Sequence, residues 1–343
     1  MSKAANAVLA LSRAFYGKRL SEKQYSDLLA CKSMNELASY LRTRTVYSDA
    51  FSDVHTTDFS SGSLEDIVMK HIANGFDSIC RFELAIGNEF YKYFIVQNEI
   101  EQILKCTLFI IGGNTEGYLM QLSNFLSNHL SIDLYSLGKA NTLEDIAAAI
   151  ANTPYEKIYR RCLAAEERSY LAFEIAFDNY FELFQSKLVE RCFKGSEKKA
   201  MYEMICRDYD RSFIQNQHRI VKYYSGSLDV TNLIAPSDIS LTLLNERQVR
   251  QIIDCTNEQD FNQILQKTPY KDCVGDRIED KLYLKFYNYC KKKIRFSSYP
   301  DVVMYSYLFL ARVETANIVR IIEGIKYDIP IDEIKSTLVG IGD

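Results

Sequence analysis

Four histidines, nine cysteines and one glycine-rich stretch are where this chain could do chemistry. His55, His71, His129 and His218 stand far apart. Zinc chemistry needs clustered ligands, as when His-Glu-x-x-His sets two imidazoles on one helical face, and no such motif occurs. The cysteines at 31, 80, 106, 162, 192, 206, 255, 273 and 290 are scattered singly. Without a Cys-x-x-Cys pair there is neither a zinc knuckle nor a thioredoxin-like redox motif. An odd number of isolated cysteines fits reduced thiols acting as small core hydrophobes. Gly112-Gly113-Asn114-Thr115-Glu116-Gly117 looks superficially like a phosphate cradle. It lacks the Lys-Ser/Thr that would follow the last glycine and comes after a helical pattern rather than a strand, so it reads as a helix end and turn. No Gly-x-Ser-x-Gly elbow is present. Glu166 and Glu167 are adjacent, point to different helix faces and do not form an acid/base pair. Catalytic groups can converge from distant segments, so an enzyme with a dispersed site is one reading. A scaffold or adaptor is the stronger one, with no catalytic residue, metal or cofactor expected.

The elements that position these residues are helical. The 343 residues contain only 14 Gly and 5 Pro, too few breakers for the many tight turns of a sheet protein. Tyr (24) and Phe (19) supply the aromatic packing, and Trp is absent. A net charge of -4 and a pI near 5.8 argue against a nucleic-acid binder. Lys291, Lys292, Lys293 and Arg295 form the dense basic cluster; it reads as a solvated helix end, or else as a contact for lipid headgroups or an acidic partner. The N-terminal stretch, with Val8, Leu11 and Phe15 at helical spacing and Asn6, Ser12 and Arg13 interrupting it, reads as an amphipathic helix rather than a signal peptide. The longest uncharged run, Gly117 to Ile132, contains Gln121, Asn124, Asn128 and His129 and falls short of the ~18 apolar residues of a membrane span.

One unit recurs three times. It opens with a helix cap: Ser33-x-x-Glu36, Thr142-x-x-Asp145, Asn257-x-x-Asp260. An apolar pair at i, i+4 follows: Leu37/Leu41, Ile146/Ile150, Phe261/Leu265. Then comes Thr-x-Tyr, ending in Tyr47, Tyr155 and Tyr270, with Pro154 and Pro269 closing the helix in two copies. In addition, Leu20 to Cys31 aligns without a gap on Leu244 to Cys255. Long helical stretches follow each copy, striped by Phe82, Ile86, Phe90, Phe94 and Ile103; by Tyr170, Phe173, Phe177, Tyr180 and Phe184; and by Ile318, Ile321, Ile322 and Ile325. These stripes are expected to be core. The expected architecture is all-α, one body of three helical repeats with approximate bounds 1–113, 114–235 and 236–343.

The C-terminal stretch Tyr305-Ser-Tyr-Leu-Phe-Leu-Ala-Arg-Val-Glu-Thr-Ala-Asn-Ile-Val-Arg-Ile-Ile-Glu-Gly-Ile-Lys326, with its core Glu314-x-x-Asn317-Ile318-x-Arg320-Ile321-x-x-Gly324, resembles the signature of a V/A-type ATPase family, the central-stalk C subunits of bacteria and archaea and their eukaryotic equivalents of type d. Asp332-Glu333-Ile334-Lys335-x-x-Leu338, Ala5-Asn6-Ala7 and the three Thr-x-Tyr copies fit as well. Val8-Leu9 departs from the Arg that this family often shows soon after Asn-Ala. The resemblance implies a funnel of three pseudo-symmetric parts whose cavity receives the rotor shaft and whose base rests on the membrane ring. Its implied partners are the D- and F-type shaft subunits and the c/K ring, with ATP hydrolysis and proton or sodium translocation in other subunits. It implies a location peripheral to the membrane on the cytoplasmic face. The alternative is a helical scaffold that binds peptide or protein partners unrelated to ATPases.

On a helical wheel Glu314 falls within the arc of Leu310, Ile318, Ile321 and Ile325, so it should be partly buried and need a cation or several donors. Arg312, Asn317, Arg320 and Glu323 fall on the opposite arc, separated by the small residues Ala316 and Gly324. That arc reads as an ordinary solvated helix face, or else as a partner-binding face on which the small residues let another helix approach.

Overall fold

A computed structural model describes residues 3–86, 89–113, 130–165, 168–224 and 241–341. Among these, secondary structure is helical and no strand occurs. His129, the Asn114–Gly117 part of the glycine-rich stretch, most of the uncharged run, and Glu166 and Glu167 lie outside the described residues.

The described residues form two compact units. Unit 1 takes in 3–86 and 287–341; unit 2 takes in 89–113, 130–165, 168–224 and 241–286. Unit 1 is built on three helices packed on one another: α1 (Lys3–Gly17), α4 (Ser61–Ile86) and α14 (Pro300–Lys326). Pro300 suits the first turn of α14, where a missing N–H costs nothing. This helix is long and apolar enough to cross a membrane by length and composition, yet 67% of its apolar window is buried inside the protein. Gly75 on α4 permits the close approach: a Cβ there would lie 2.5 Å from the Tyr307 hydroxyl oxygen. Against this core pack α2 (Glu22–Leu29), α3 (Met34–Arg44) and α15 (Ile331–Thr337), contributing Leu28, Leu37, Leu41 and Ile334. On α1 the buried line is Val8, Ser12 and Tyr16, while Leu11 and Phe15 are half-buried, so the stripe is rotated from its expected position. The Ser12 hydroxyl is accommodated by donating to the Val8 carbonyl at 2.8 Å.

Unit 2 centres on α5 (Lys92–Ile111), α9 (Tyr170–Cys192) and α10 (Gly195–Tyr223). Short helices surround them: α6 (Leu134–Gly138), α7 (Leu143–Ala149), α8 (Glu156–Leu163), α11 (Glu246–Ile253) and α12 (Glu258–Leu265). Helix α13 (Ile278–Phe296) gives its first half to unit 2 and its second to unit 1. Gly112 and Gly113 do end a helix, with the Gly112 N–H donating to Leu108 O and Gly113 at φ 72°.

The stripes are core in part: Tyr170, Tyr180, Phe184 and Ile325 are only half-buried. Phe173, Phe177, Phe90, Phe94 and Ile103 are buried, whereas Phe82 is 38% exposed. The run read as one stripe is two helices, α4 and α5, so Phe82 does not share a face with Phe94.

Candidate functional site

The repeated Thr-x-Tyr element builds the same hydrogen-bonded tie three times. Its first part is local. The Thr45 hydroxyl donates to Leu41 O (2.6 Å) and accepts the Tyr47 N–H (3.2 Å). Thr153 bridges Ile150 O and the Tyr155 N–H, and Thr268 bridges Leu265 O and the Tyr270 N–H. Each threonine thus closes the end of a short helix and aims the tyrosine inward. The first copy reaches back four residues instead of three and has Val46 in place of proline.

The second part reaches across the fold. The Tyr47 hydroxyl donates to Glu314 Oε1 (2.9 Å), Tyr155 to Glu99 Oε2, and Tyr270 to Asp210 Oδ2 (2.7 Å). Each carboxylate also accepts a backbone N–H from just ahead of a short helix: Leu20 to Glu314 Oε2 (2.8 Å), Ser131 to Glu99 Oε1, and Leu243 to Asp210 Oδ2 (3.1 Å). The next helices are capped by Ser21, Asp133 and Asn245. In the first and third copies the capping glutamine extends the match. Gln24 donates to Arg44 O and Gln248 to Lys267 O, both at 2.8 Å, in each case to the residue before the threonine.

Tyr47, Tyr155 and Tyr270 are almost fully buried, as are Glu99 and Asp210, while Glu314 is half-buried. Burial raises the Glu314 pKa, opposed by the Leu20 N–H and the Tyr47 hydroxyl. Burial pushes Asp210 up to about 6, opposed by hydrogen bonds from Thr242, Tyr270 and Leu243. The three tyrosines are pushed well above their usual range by burial first and the adjacent carboxylate second. Such pairs are mutually satisfied donors and acceptors. They hold a short-helix cluster to a long helix and have the character of structural ties rather than acid/base machinery.

Glu314 therefore meets its expected need for donors with a hydroxyl and a backbone N–H, not with an ion-paired cation. Glu99 and Asp210 escaped sequence reasoning. Their signal was present: each acid stands four residues before a fully buried isoleucine, as Glu99/Ile103, Asp210/Ile214 and Glu314/Ile318.

The expected partner face is only partly open. Glu323 is exposed and Arg312 and Arg320 are half-buried, but Asn317 is 1% exposed. Asn317 Nδ2 donates to Val339 O (2.9 Å), and its Oδ1 accepts the Val339 N–H (3.0 Å) and an Arg320 guanidinium N–H (3.1 Å). The chain's own α15 and the segment after it run along this side of α14. Gly324 accommodates that helix, since a Cβ there would lie 2.2 Å from Ile334 Cδ1. At Gly324 the small residue serves an internal helix, which corrects the reading that placed Asn317 at the surface.

Among the described residues no group of three or more His, Cys, Asp or Glu is arranged to hold a metal. His71 packs on the Tyr47 ring at 4.5 Å, and burial lowers its pKa. His218 lies 3.3 Å from Glu258. Cys106, Cys162, Cys206, Cys255, Cys273 and Cys290 are buried, and burial pushes the Cys106 thiol up to about 12, far from a reactive thiolate. Unit 2 also carries a polar seam between α9 and α10. Asp178 accepts from Ser212 and Asn216, Arg211 pairs with Asp208, and burial beside Asp178 drives the Glu182 carboxyl well up.

The A-type ATP synthase C subunit of Methanosphaera stadtmanae is 26% identical over 55% of this chain and 47% of its own length. The corresponding protein of Thermococcus onnurineus is 20% identical over 65% of this chain and 59% of its own length. That of Thermococcus kodakarensis is 21% identical over 80% and 74%. The chain thus spans about half the length of the first of these relatives. Residues 8–337 match the family described as ATP synthase (C/AC39) subunit, and the chain belongs to that family.

Proposed function

We propose that this protein is a non-catalytic rotor adaptor of a V/A-type ATPase, joining the central shaft to the membrane ring and so coupling ATP turnover to proton or sodium transport. The observation that carries this reading is the family match along residues 8–337. The partners are the D- and F-type shaft subunits and the c/K ring, and the protein lies peripherally on the cytoplasmic face. The three tyrosine–carboxylate ties support it physically. Torque transmission needs a body whose helices do not slip, and a buried hydrogen-bonded pair fixes each of α5, α10 and α14 to a neighbouring segment without a cofactor. In this reading the three repeats, bounded near 113 and 235, form a funnel around the shaft.

Arg312, Arg320 and Glu323 form the shaft-facing surface, with Asn317 behind them as the brace that sets the Arg320 guanidinium. Charges on such a rim steer docking and fix register, with strong salt dependence. Co-purification from detergent-solubilised membranes should bring down the shaft and ring subunits. Arg312→Glu combined with Arg320→Glu should weaken shaft association at least tenfold, ~1.4 kcal/mol. Surface plasmon resonance at two ionic strengths reads this, with circular dichroism as the fold control. A stable complex with unrelated proteins and none with a shaft would overturn the proposal. Unchanged affinity in a folded double mutant would remove this face from it.

A further inference from the structure

Unit 1 contains a cavity of ≈ 300 Å³ between the end of α1, the start of α2, the second half of α13 and the middle of α14. Arg19, Lys291 and Arg295 line it, and among the described residues none of them forms an ion pair. Lys291 and Arg295 are one turn apart on α13, hence on one face. The end of that helix is fixed in place: the Arg13 guanidinium donates to Ile294 O (2.9 Å) and Ser297 O (2.7 Å). Arg19 is held too, stacked over the Tyr16 ring at 4.2 Å and donating to Tyr16 O at 3.1 Å. Tyr16 itself is 9% exposed and lines the cavity, and its buried hydroxyl has no hydrogen-bond partner. Of the two acids lining the cavity, Glu314 already accepts two hydrogen bonds and Glu22 is exposed.

We propose that this cavity binds a phosphate-bearing small molecule. Two guanidinium groups and an ammonium match the charge and oxygen geometry of a phosphate. The volume lies at the lower end of the range for small-ligand sites. The three cations are gathered at one cavity in a chain whose net charge is -4, so general basicity does not account for them. The site does not depend on the assembly proposed above. The phosphate comes from a soluble metabolite or from a lipid headgroup, and the test separates these sources.

The test is calorimetric titration of the purified chain with inorganic pyrophosphate. Saturable binding at one site per chain is expected, weaker at higher salt. Arg295→Glu should weaken it at least tenfold, whereas Lys199→Glu, the same charge change at an exposed position in unit 2, should alter it less than about twofold. Sedimentation with phosphatidylglycerol vesicles, against phosphatidylcholine vesicles, gives the second arm. Capture that pyrophosphate displaces assigns a headgroup, and no capture assigns a soluble phosphate. Absence of saturable pyrophosphate binding, or equal loss in the Lys199→Glu control, would overturn the proposal.

Discussion

Replacing Glu314 by Ala tests whether the ties carry stability. The carboxylate accepts the Tyr47 hydroxyl at 2.9 Å and the Leu20 N–H at 2.8 Å, and Tyr47 and Leu20 are 1% and 6% exposed. Each buried donor left without a partner costs about 1–3 kcal/mol, so losing both costs roughly 2–6 kcal/mol. The adjoining cavity is lined by all three residues and lets water reach the vacated space. That moves the expectation to the low end, ~2–3 kcal/mol. Tyr47→Phe alone should cost ~1.5–3 kcal/mol, since its bond is to a charged group. The double mutant should cost at least ~1 kcal/mol less than the sum, because Phe removes the very hydroxyl that Ala strands. The sign of the pH effect follows from burial, which raises the folded pKa of Glu314. The folded state then binds the proton more readily than the unfolded chain, so wild-type stability rises as pH falls from neutrality toward the ordinary carboxylate range. Glu314→Ala should lose that rise, which makes the mutant's deficit largest at mildly acidic pH. Urea unfolding followed by circular dichroism and tyrosine fluorescence measures all of this. An Ala variant within ~0.5 kcal/mol of wild type, or strictly additive single mutants, would refute the reasoning.

Asp210, pushed up to about 6 by burial, should likewise make the wild type more stable at pH 5 than at pH 7.5. Asp210→Asn should flatten that slope while keeping an acceptor for Tyr270 and Leu243, and a retained slope would exonerate Asp210. Gly324→Ala should destabilise by ~1–3 kcal/mol, because its Cβ would press on Ile334; hydrogen exchange should show α15 loosened, and unaltered protection there would count against the packing argument. The isolated chain should hydrolyse no ATP and bind none tightly, since its sequence has no Walker-type phosphate loop; micromolar calorimetric binding of ATP with magnesium at one site per chain would contradict this.

Local features were legible in the sequence because their partners are local. Ser33, Thr142 and Asn257 cap the helices that their spacing predicts, through hydrogen bonds that span three residues. Tyr47 could be marked as a repeated position, but nothing in its neighbourhood names Glu314, 267 residues away. The wheel placed Glu314 inward correctly because one arc of α14 faces the main core. It misplaced Asn317 because a wheel knows one buried side, and α14 has a second one under α15. Glu99 and Asp210 had a readable signature in the isoleucine four residues on. A single acid in an apolar stripe is nonetheless indistinguishable from an interruption until its donors are in view.

The tie between Leu20, Tyr47 and Glu314 joins segments 294 and 267 residues apart, whereas those centred on Glu99 and Asp210 span 32 to 60. During synthesis at ~5–20 residues per second, the amino-terminal segment waits roughly 13–53 s for its carboxylate. Unit 2 can close its ties within that interval, while Leu28, Leu37 and Leu41 still lack the isoleucines of α14 that cover them. The order of assembly is thus written into the connectivity: segment 3–86 waits for 287–341 before its apolar surface is covered, whereas unit 2 can close before that.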